Sequence, residues 1–232
     1  MIVSSLPEAA SASGESTSVD PDGSTIVADV SPESLSAEAL RGCFQGRLVR
    51  LEPLALAHAE GLRAAATDSD MFAWMPVDMA SSDAALNAWL TDSLALAQDG
   101  GAVPYAILAA DSGRVFGSTR FLELRFEHLR AEIGWSWVTR PAWGTGVNVE
   151  TKLLLLEHAF ERVGLRRVEF KTDARNARSR GALLALGASF EGILRTHMVV
   201  AEGGRRDSAY FSVIDEEWPA VKQRLHARLA SP

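Results

Sequence analysis

Cysteine is almost missing from this chain. Cys43 is the single one among 232 residues, which excludes an internal disulfide framework and a cysteine-rich zinc site. No apolar run approaches the roughly 20 residues that span a bilayer. The N-terminus carries neither a basic stretch nor a long apolar one of the kind that leads a chain into secretion. The expected setting is therefore the reducing cytoplasm, with no membrane partner. Metal-binding spacing such as H-E-x-x-H is missing, and His58, His128, His158, His197 and His226 are scattered, so no metal is expected. No G-x-S-x-G signature marks a nucleophilic serine. Basic charge is in deficit, at −7 overall, which argues against a general nucleic-acid binder.

The deficit is unevenly placed. Residues 1–43 hold seven acids and only Arg41 as a base, while the rest of the chain is at −1. No aromatic residue precedes Phe44, and the stretch is rich in Ser, Ala, Glu and Asp. Such a segment cannot bury enough apolar surface to offset its ordering entropy. Residues 1–35 are expected to be a disordered acidic tail. Residues 36–45 are expected to be a short helical lead-in with Ser36 as its cap, and residues 46–232 the folded domain.

What the chain does contain is an ordered alternation of apolar periods. Arg47–Leu54 reads as a strand and Ala55–Ala66 as a helix. Ser81, Ser82 and Asp83 offer caps for a second helix running to Gln98. Strands are expected over Val103–Ala110, Arg114–Leu124 and Arg130–Thr139, the first two joined at Asp111-Ser112-Gly113. A long helix follows Gly144-Thr145-Gly146 and stops at Gly164. Then come a strand over Arg166–Thr172, a helix over Asn176–Leu186 and a strand pair, Phe190–Val200 and Asp207–Ile214, turning at Glu202-Gly203-Gly204. A helix over Asp215–Leu229 closes the chain. This order predicts an α/β (α+β) fold: a mixed, mostly antiparallel sheet of six to seven strands with helices on both faces.

The segment from Arg140 to Asn148 joins a strand to the long helix. Its glycines let successive N–H groups point inward, and the helix N-terminus adds partial positive charge, a pairing suited to pyrophosphate. It is neither a P-loop nor the dinucleotide fingerprint. The strand AEIGWSWV, the turn RPAWGTGVN, the apolar helix, the strand VEFKT, the N-x-x-S of Asn176 and Ser179, and the later Leu186-Gly187-Ala188 with Glu191-Gly192 together resemble the GNAT acyltransferase superfamily, and within it the RimJ/RimL-like group. The likeness spans about Gly46 to Trp218. It departs at Asn148, where glycine or alanine is usual, and at Leu183, where many members carry a tyrosine.

The resemblance implies acetyl-CoA as co-substrate, an amine as acceptor and a V-shaped splay beside the strand that holds Glu132. It places the pyrophosphate on Trp143, Gly144, Thr145, Gly146, Val147 and Asn148, with Asn176 and Ser179 also facing CoA. Trp137, Val138 and Thr139 would pair with the pantetheine arm like an added strand. A main-chain N–H at Ser136 or Trp137 would polarise the carbonyl. Glu132 is the candidate base, or else a carboxylate paired to Arg120 or Arg130. Strand alternation puts Glu132, Gly134, Ser136 and Val138 on one face and Ile133, Trp135 and Trp137 on the other. With leucine at 183, Ser179 is the hydroxyl left to protonate the thiolate. Arg175, Arg178 and Arg180 either meet the 3′-phosphate of CoA or form a solvated helix face. His158 is expected to be structural, and His197 is either an acceptor-pocket residue or an ordinary strand histidine. The acceptor is a protein N-terminal amine or a small-molecule amine, and a homodimer is compatible with the chain. The missing tyrosine keeps a second reading open, a silent acyl-CoA-binding module. A donor such as succinyl-CoA is a third.

Overall fold

The computed structural model describes residues 32–200 and 204–230. The expected tail therefore falls almost wholly outside the described residues, as do Glu202 and Gly203 of the expected turn. The elements are β1 (Phe44–Gln45), β2 (Val49–Pro53), α1 (Ala59–Ala65), α2 (Asp83–Gln98), β3 (Val103–Ala109), β4 (Val115–Arg125), β5 (Arg130–Val138), α3 (Val147–Glu157), β6 (Arg167–Asp173), α4 (Ala177–Leu186), β7 (Ser189–Val199), β8 (Arg205–Ile214) and α5 (Trp218–Ala230). One sheet of eight strands runs β1-β2-β3-β4-β5-β6-β8-β7. Every neighbouring pair is antiparallel except β5 and β6. The mixed, mostly antiparallel fold is as the sequence predicts, with one more strand.

The extra strand is β1, two residues long, in the segment read as a helical lead-in. That segment keeps only a tight 3₁₀ turn over Ala37–Leu40, capped by Ser36, whose hydroxyl accepts from the Glu38 N–H. The helix expected over Ala55–Ala66 also begins as a 3₁₀ turn, where the His58 ring accepts from the Ala55 N–H at 3.1 Å. Elsewhere the local signals act as expected. The Ser82 hydroxyl accepts from Ala85 N–H at 3.1 Å and starts α2. Asn176 Oδ1 accepts from Ser179 N–H at 3.0 Å and starts α4, and Gly187, at φ +109, ends it. α3 continues past Glu157 into a π turn over His158–Arg162.

Strand alternation divides the core. Val103, Tyr105 and Ile107 of β3 pack toward α3 and α5, while Ala106 and Leu108 pack toward α1 and α2. A strand covered on both faces is apolar at every position, and all seven residues of β3 are buried. The lead-in is part of this core: Leu40 is fully buried, and the Tyr105 hydroxyl donates to its carbonyl. Among the described residues no helix is long and apolar enough to cross a membrane.

Leu40→Ala should cost about 2–5 kcal/mol, as for other leucines deleted from a closed core. Urea unfolding of the variant checks this, and a loss below about 1 kcal/mol would show that the lead-in is not built into the domain.

Candidate active site

β5 and β6 pair at only three positions, Arg130 with Arg167, Ala131 with Val168 and Glu132 with Glu169. Beyond them β5 runs on beside β4, and β6 runs on beside β8. The strands part, and a cavity of roughly 470 Å³ opens between them. Its floor is Glu132 to Val138. One end meets Trp143, Gly144, Gly146 and Asn148, with Arg178, Ser179 and Leu183 from α4. The other end meets Met71, Trp74 and Met75 from the α1–α2 connection, with Lys171, Met198 and Arg206.

The side-chain order along β5 departs from simple alternation. Ile133 packs toward α3, yet Trp135 and Trp137 pack toward α1 and α2. Gly134 pairs with Arg120 and Trp137 with Ser118, so β5 spends one more residue than β4 over this stretch. The extra residue is a β-bulge, and Trp135 sits in it at φ +51. Ser136 is thereby turned to the α3 face, opposite Glu132. The faces assigned from period-2 alternation are wrong beyond Gly134 because a bulge has no signature in that period.

Glu132 is 2% exposed, and its partner is Lys171 at 3.4 Å. Neither expected arginine pairs with it. Arg130 binds Glu169, and Arg120 donates to Ser93 Oγ and lies over the Trp135 ring. Burial raises the Glu132 pKa, against the opposing pull of Lys171. On the α3 side Lys152 is 5% exposed and donates to Ser136 Oγ at 2.6 Å. Thr119 Oγ1 lies 2.7 Å from Ser136 Oγ and 3.5 Å from the Lys152 ammonium. Burial pushes the Lys152 pKa down to about 7, with Glu132 opposing. No motif marks Lys152; its one signal in the sequence is helical spacing, which puts it on a face with the buried Leu155 and Leu156, where a lysine has no water to reach.

At the glycine turn, Gly144 and Gly146 adopt φ +77 and +89, which L side chains rarely do. Gly146 caps α3 without a side-chain hydrogen bond, so the first helical N–H groups of Val147, Asn148 and Val149 lack intrahelical partners. Two side chains of the turn point away from the cavity, which leaves only their main-chain atoms to meet a ligand there: Thr145 Oγ1 donates to the Ala142 carbonyl, and the Val147 side chain is in the core. The Thr139 N–H is likewise committed to the Phe116 carbonyl at 2.7 Å, so it is not free for a pantetheine arm. The Trp143 indole N–H donates to the Val138 carbonyl, and the guanidinium groups of Arg140 and Arg178 lie over its ring. Of the three α4-region arginines only Arg178 lines the cavity. Arg175 is held by Asp173, and Arg180 donates to the Ala174 carbonyl. Asn176 is an N-cap, and Ser179 lines the wall one turn on. His158 is bonded to the Ala39 carbonyl, and His197 lies between Ser208 and Tyr210, outside the cavity. Among the described residues no three metal-ligating side chains converge.

The sequence and the fold have counterparts in known proteins. Residues 48–189 match the acetyltransferase (GNAT) domain family. The chain is 31% identical over 123 residues to p20, an uncharacterized N-acetyltransferase of Bacillus licheniformis, covering 53% of this chain and 68% of that protein. A crystal structure of a GCN5-related N-acetyltransferase from Brucella melitensis superposes with a TM-score of 0.75 at 34% identity, covering 82% of this chain and 86% of that one. RimJ of Mycobacterium smegmatis, solved in complex with CoA-disulfide, shares the fold with a TM-score of 0.66 at 24% identity, covering 80% of this chain and 92% of that one. With more than half of its length matched by that domain, this chain belongs to the GNAT family of acetyltransferases.

Proposed function

We propose that this protein transfers an acetyl group from acetyl-CoA to a primary amine by direct attack on the thioester. The observation that carries the reading is the splay of β5 from β6, with an uncapped helix N-terminus at one end and a buried carboxylate at the other. Acetyl-CoA supplies an activated acetyl group. The free N–H groups at the start of α3, with Arg178 beside them, suit its pyrophosphate. The inner edge of β5, which no strand covers and where the Val138 carbonyl already accepts from the Trp143 indole, suits its amide-bearing arm, and an N–H near Ser136 or Trp137 suits the developing charge on the carbonyl oxygen. Ser179 is a further contact along that wall.

Glu132 takes a proton from the acceptor's ammonium and frees its lone pair. Burial helps here, because a carboxylate with a raised pKa is a stronger base near neutral pH. The Met71, Trp74 and Met75 wall beyond Glu132 forms the acceptor side. The acceptor is a protein N-terminal amine or a small-molecule amine, and both fit the same groups. A silent acyl-CoA-binding module is the second reading, favoured by Leu183 in place of a phenol. Thiol release from acetyl-CoA with a panel of N-terminal peptides and small amines tests the two: tight binding without turnover on any amine would select the silent module.

Gly144→Glu tests the turn. A Cβ at Gly144 meets nothing within 4 Å, so the cost there is only the strain of its φ of +77, about 1–3 kcal/mol, whereas at Gly146 it would also meet Leu48 and Leu229 at 3.0 and 3.4 Å and disturb packing. Two unit charges 4 Å apart repel by about 4 kcal/mol at a surface-like dielectric, before screening. The variant should keep its fold and lose acetyl-CoA affinity by more than about tenfold in calorimetry. Unchanged affinity would put the pyrophosphate elsewhere.

Glu132→Gln keeps size and removes the base. The kcat should fall by about 10²–10⁴-fold, with acetyl-CoA affinity kept. Because burial raises the Glu132 pKa, wild-type kcat should climb with pH as the carboxyl ionises, and that acid limb should vanish in the variant. A retained limb would move the base to ordered water.

A further inference from the structure

The reaction proposed above leaves a thiolate that must take up a proton, and it gives no task to the buried amine of Lys152. The cavity offers few donors. The chain has two tyrosines, and neither lines it: Tyr105 is in the core bonded to Leu40, and Tyr210 is bonded to His197. No histidine or cysteine lines it, and Leu183 on its α4 wall has no proton to give. Its arginines do not release protons near neutrality. Lys171 is tied to Glu132 on the acceptor side. Ser179, the hydroxyl expected to protonate the thiolate, lines the α4 wall but has, among the described residues, no titratable side chain bonded to it to refill its proton, whereas Lys152 stands on the α3 side in contact with a hydroxyl.

What faces Lys152 is uncharged nearby. β4 presents the Thr119 hydroxyl at 3.5 Å, β5 the Ser136 hydroxyl at 2.6 Å and β6 the Phe170 ring at 5.9 Å. The charged groups around it are Glu132, beyond the plane of the sheet, and Arg178 of α4 and Arg228 of α5 on the cavity wall. Among the described residues no carboxylate lies within ion-pair distance of its ammonium. Buried lysines are ordinarily paired. One of its three N–H donors stays unspent after the two hydroxyls.

We propose that Lys152, through the Ser136 hydroxyl to which it donates, supplies the proton taken up by the departing CoA thiolate. The proposal rests on the acetyl-transfer reading. The acceptor nitrogen, freed of one proton by Glu132, bonds to the acetyl carbon. The carbon–sulfur bond breaks and its electron pair stays on sulfur. The Ser136 hydroxyl proton passes to sulfur and a Lys152 ammonium proton refills the hydroxyl. The nitrogen's second proton, lost as the amide forms, restores Lys152 through water, and Glu132 releases its own to solvent. Lys152 acts through Ser136 and is a positioning residue in this relay. Its depressed pKa matches neutral pH and lies below that of an ordinary thiol such as cysteine, about 8.5, so transfer to a thiolate runs downhill.

The test uses the full chain and the variants Lys152→Met and Lys152→Gln. The glutamine keeps hydrogen bonds to both hydroxyls should the methionine fail to fold. Wild-type kcat should fall as pH rises past about 7, where Lys152 loses its proton. In either variant that basic limb should be absent and kcat at pH 7 lower by about 10²-fold, with KM for acetyl-CoA little changed. Independently of turnover, the ultraviolet thiolate band of bound CoA should develop at lower pH in wild type than in the variants, because a neighbouring ammonium favours the thiolate. Intact mass after incubation with acetyl-CoA should show no acetyl group on Lys152. A retained basic limb, a thiolate titration identical in all three proteins or an acetylated Lys152 would each overturn the proposal. If wild type releases no thiol with any amine, acetyl transfer itself fails, and the thiolate titration still decides whether Lys152 faces the sulfur.

Discussion

The molecule turns on a parallel strand pair that stops pairing after three residues. Inside a sheet, backbone N–H and C=O groups are obligatory hydrogen-bonding groups, and leaving them apart costs free energy unless something else satisfies them. Here β5 keeps β4 on its outer edge and β6 keeps β8, so only their inner edges lack a neighbouring strand, and on β5 the Trp143 indole takes up the Val138 carbonyl. That is a slot shaped for an extended ligand with its own amides. The same parting lets α3, whose sequence position follows β5 directly, aim its N-terminus at the mouth of the slot. Binding and chemistry are thereby set along one line by chain order alone.

The bulge at Trp135 decides which side chains meet across that line. With unbroken alternation Ser136 would share a face with Glu132 and would look away from α3. The extra residue turns Ser136 under the sheet, within 2.6 Å of Lys152, and leaves Glu132 with Lys171 above it. Two titratable groups of opposite kind then border one cavity from opposite faces. Burial pushes the carboxyl up and the ammonium down. Both shifts have the same cause, desolvation of the charged form, and both bring a group with a distant intrinsic pKa toward neutrality, where proton transfer is efficient.

The sequence made the layout legible wherever a local rule ruled alone. Ser82 and Asn176 start helices because their oxygens accept from N–H groups three residues on. Gly187 ends one because only glycine takes its φ cheaply. The glycine turn stands out by its motif, and Glu132 is singled out only through the family resemblance. What local rules missed has one origin, the long-range setting of a side chain. Lys152 reads as an ordinary helix lysine until β5 closes over it. The partner of Glu132 is Lys171, 39 positions away on a parallel strand, and neither arginine close to it in β4 and β5. The Met71, Trp74 and Met75 wall comes from a connection without a period, so nothing in the chain announced that it would face the cavity.

Arg120 shows how the unusual backbone is held. It is 4% exposed, has no carboxylate partner among the described residues and donates to one hydroxyl, Ser93 Oγ at 3.0 Å. Its Nε finds no hydrogen bond, and burial pushes its pKa down to about 10. It is nonetheless charged at neutral pH, and its cation lies 4.6 Å from the ring centre of Trp135 and 5.9 Å from that of Trp89. A desolvated cation over an indole is worth about 2 kcal/mol, and a bulky residue held at positive φ costs of the order of 1–3 kcal/mol. The two are of similar size. The arginine that lacks an acid thus offsets the strain of the residue that lacks a comfortable φ. The register that this bulge imposes brings the Ser136 hydroxyl to Lys152. A charge on one face of the sheet therefore holds in place a hydrogen bond on the other.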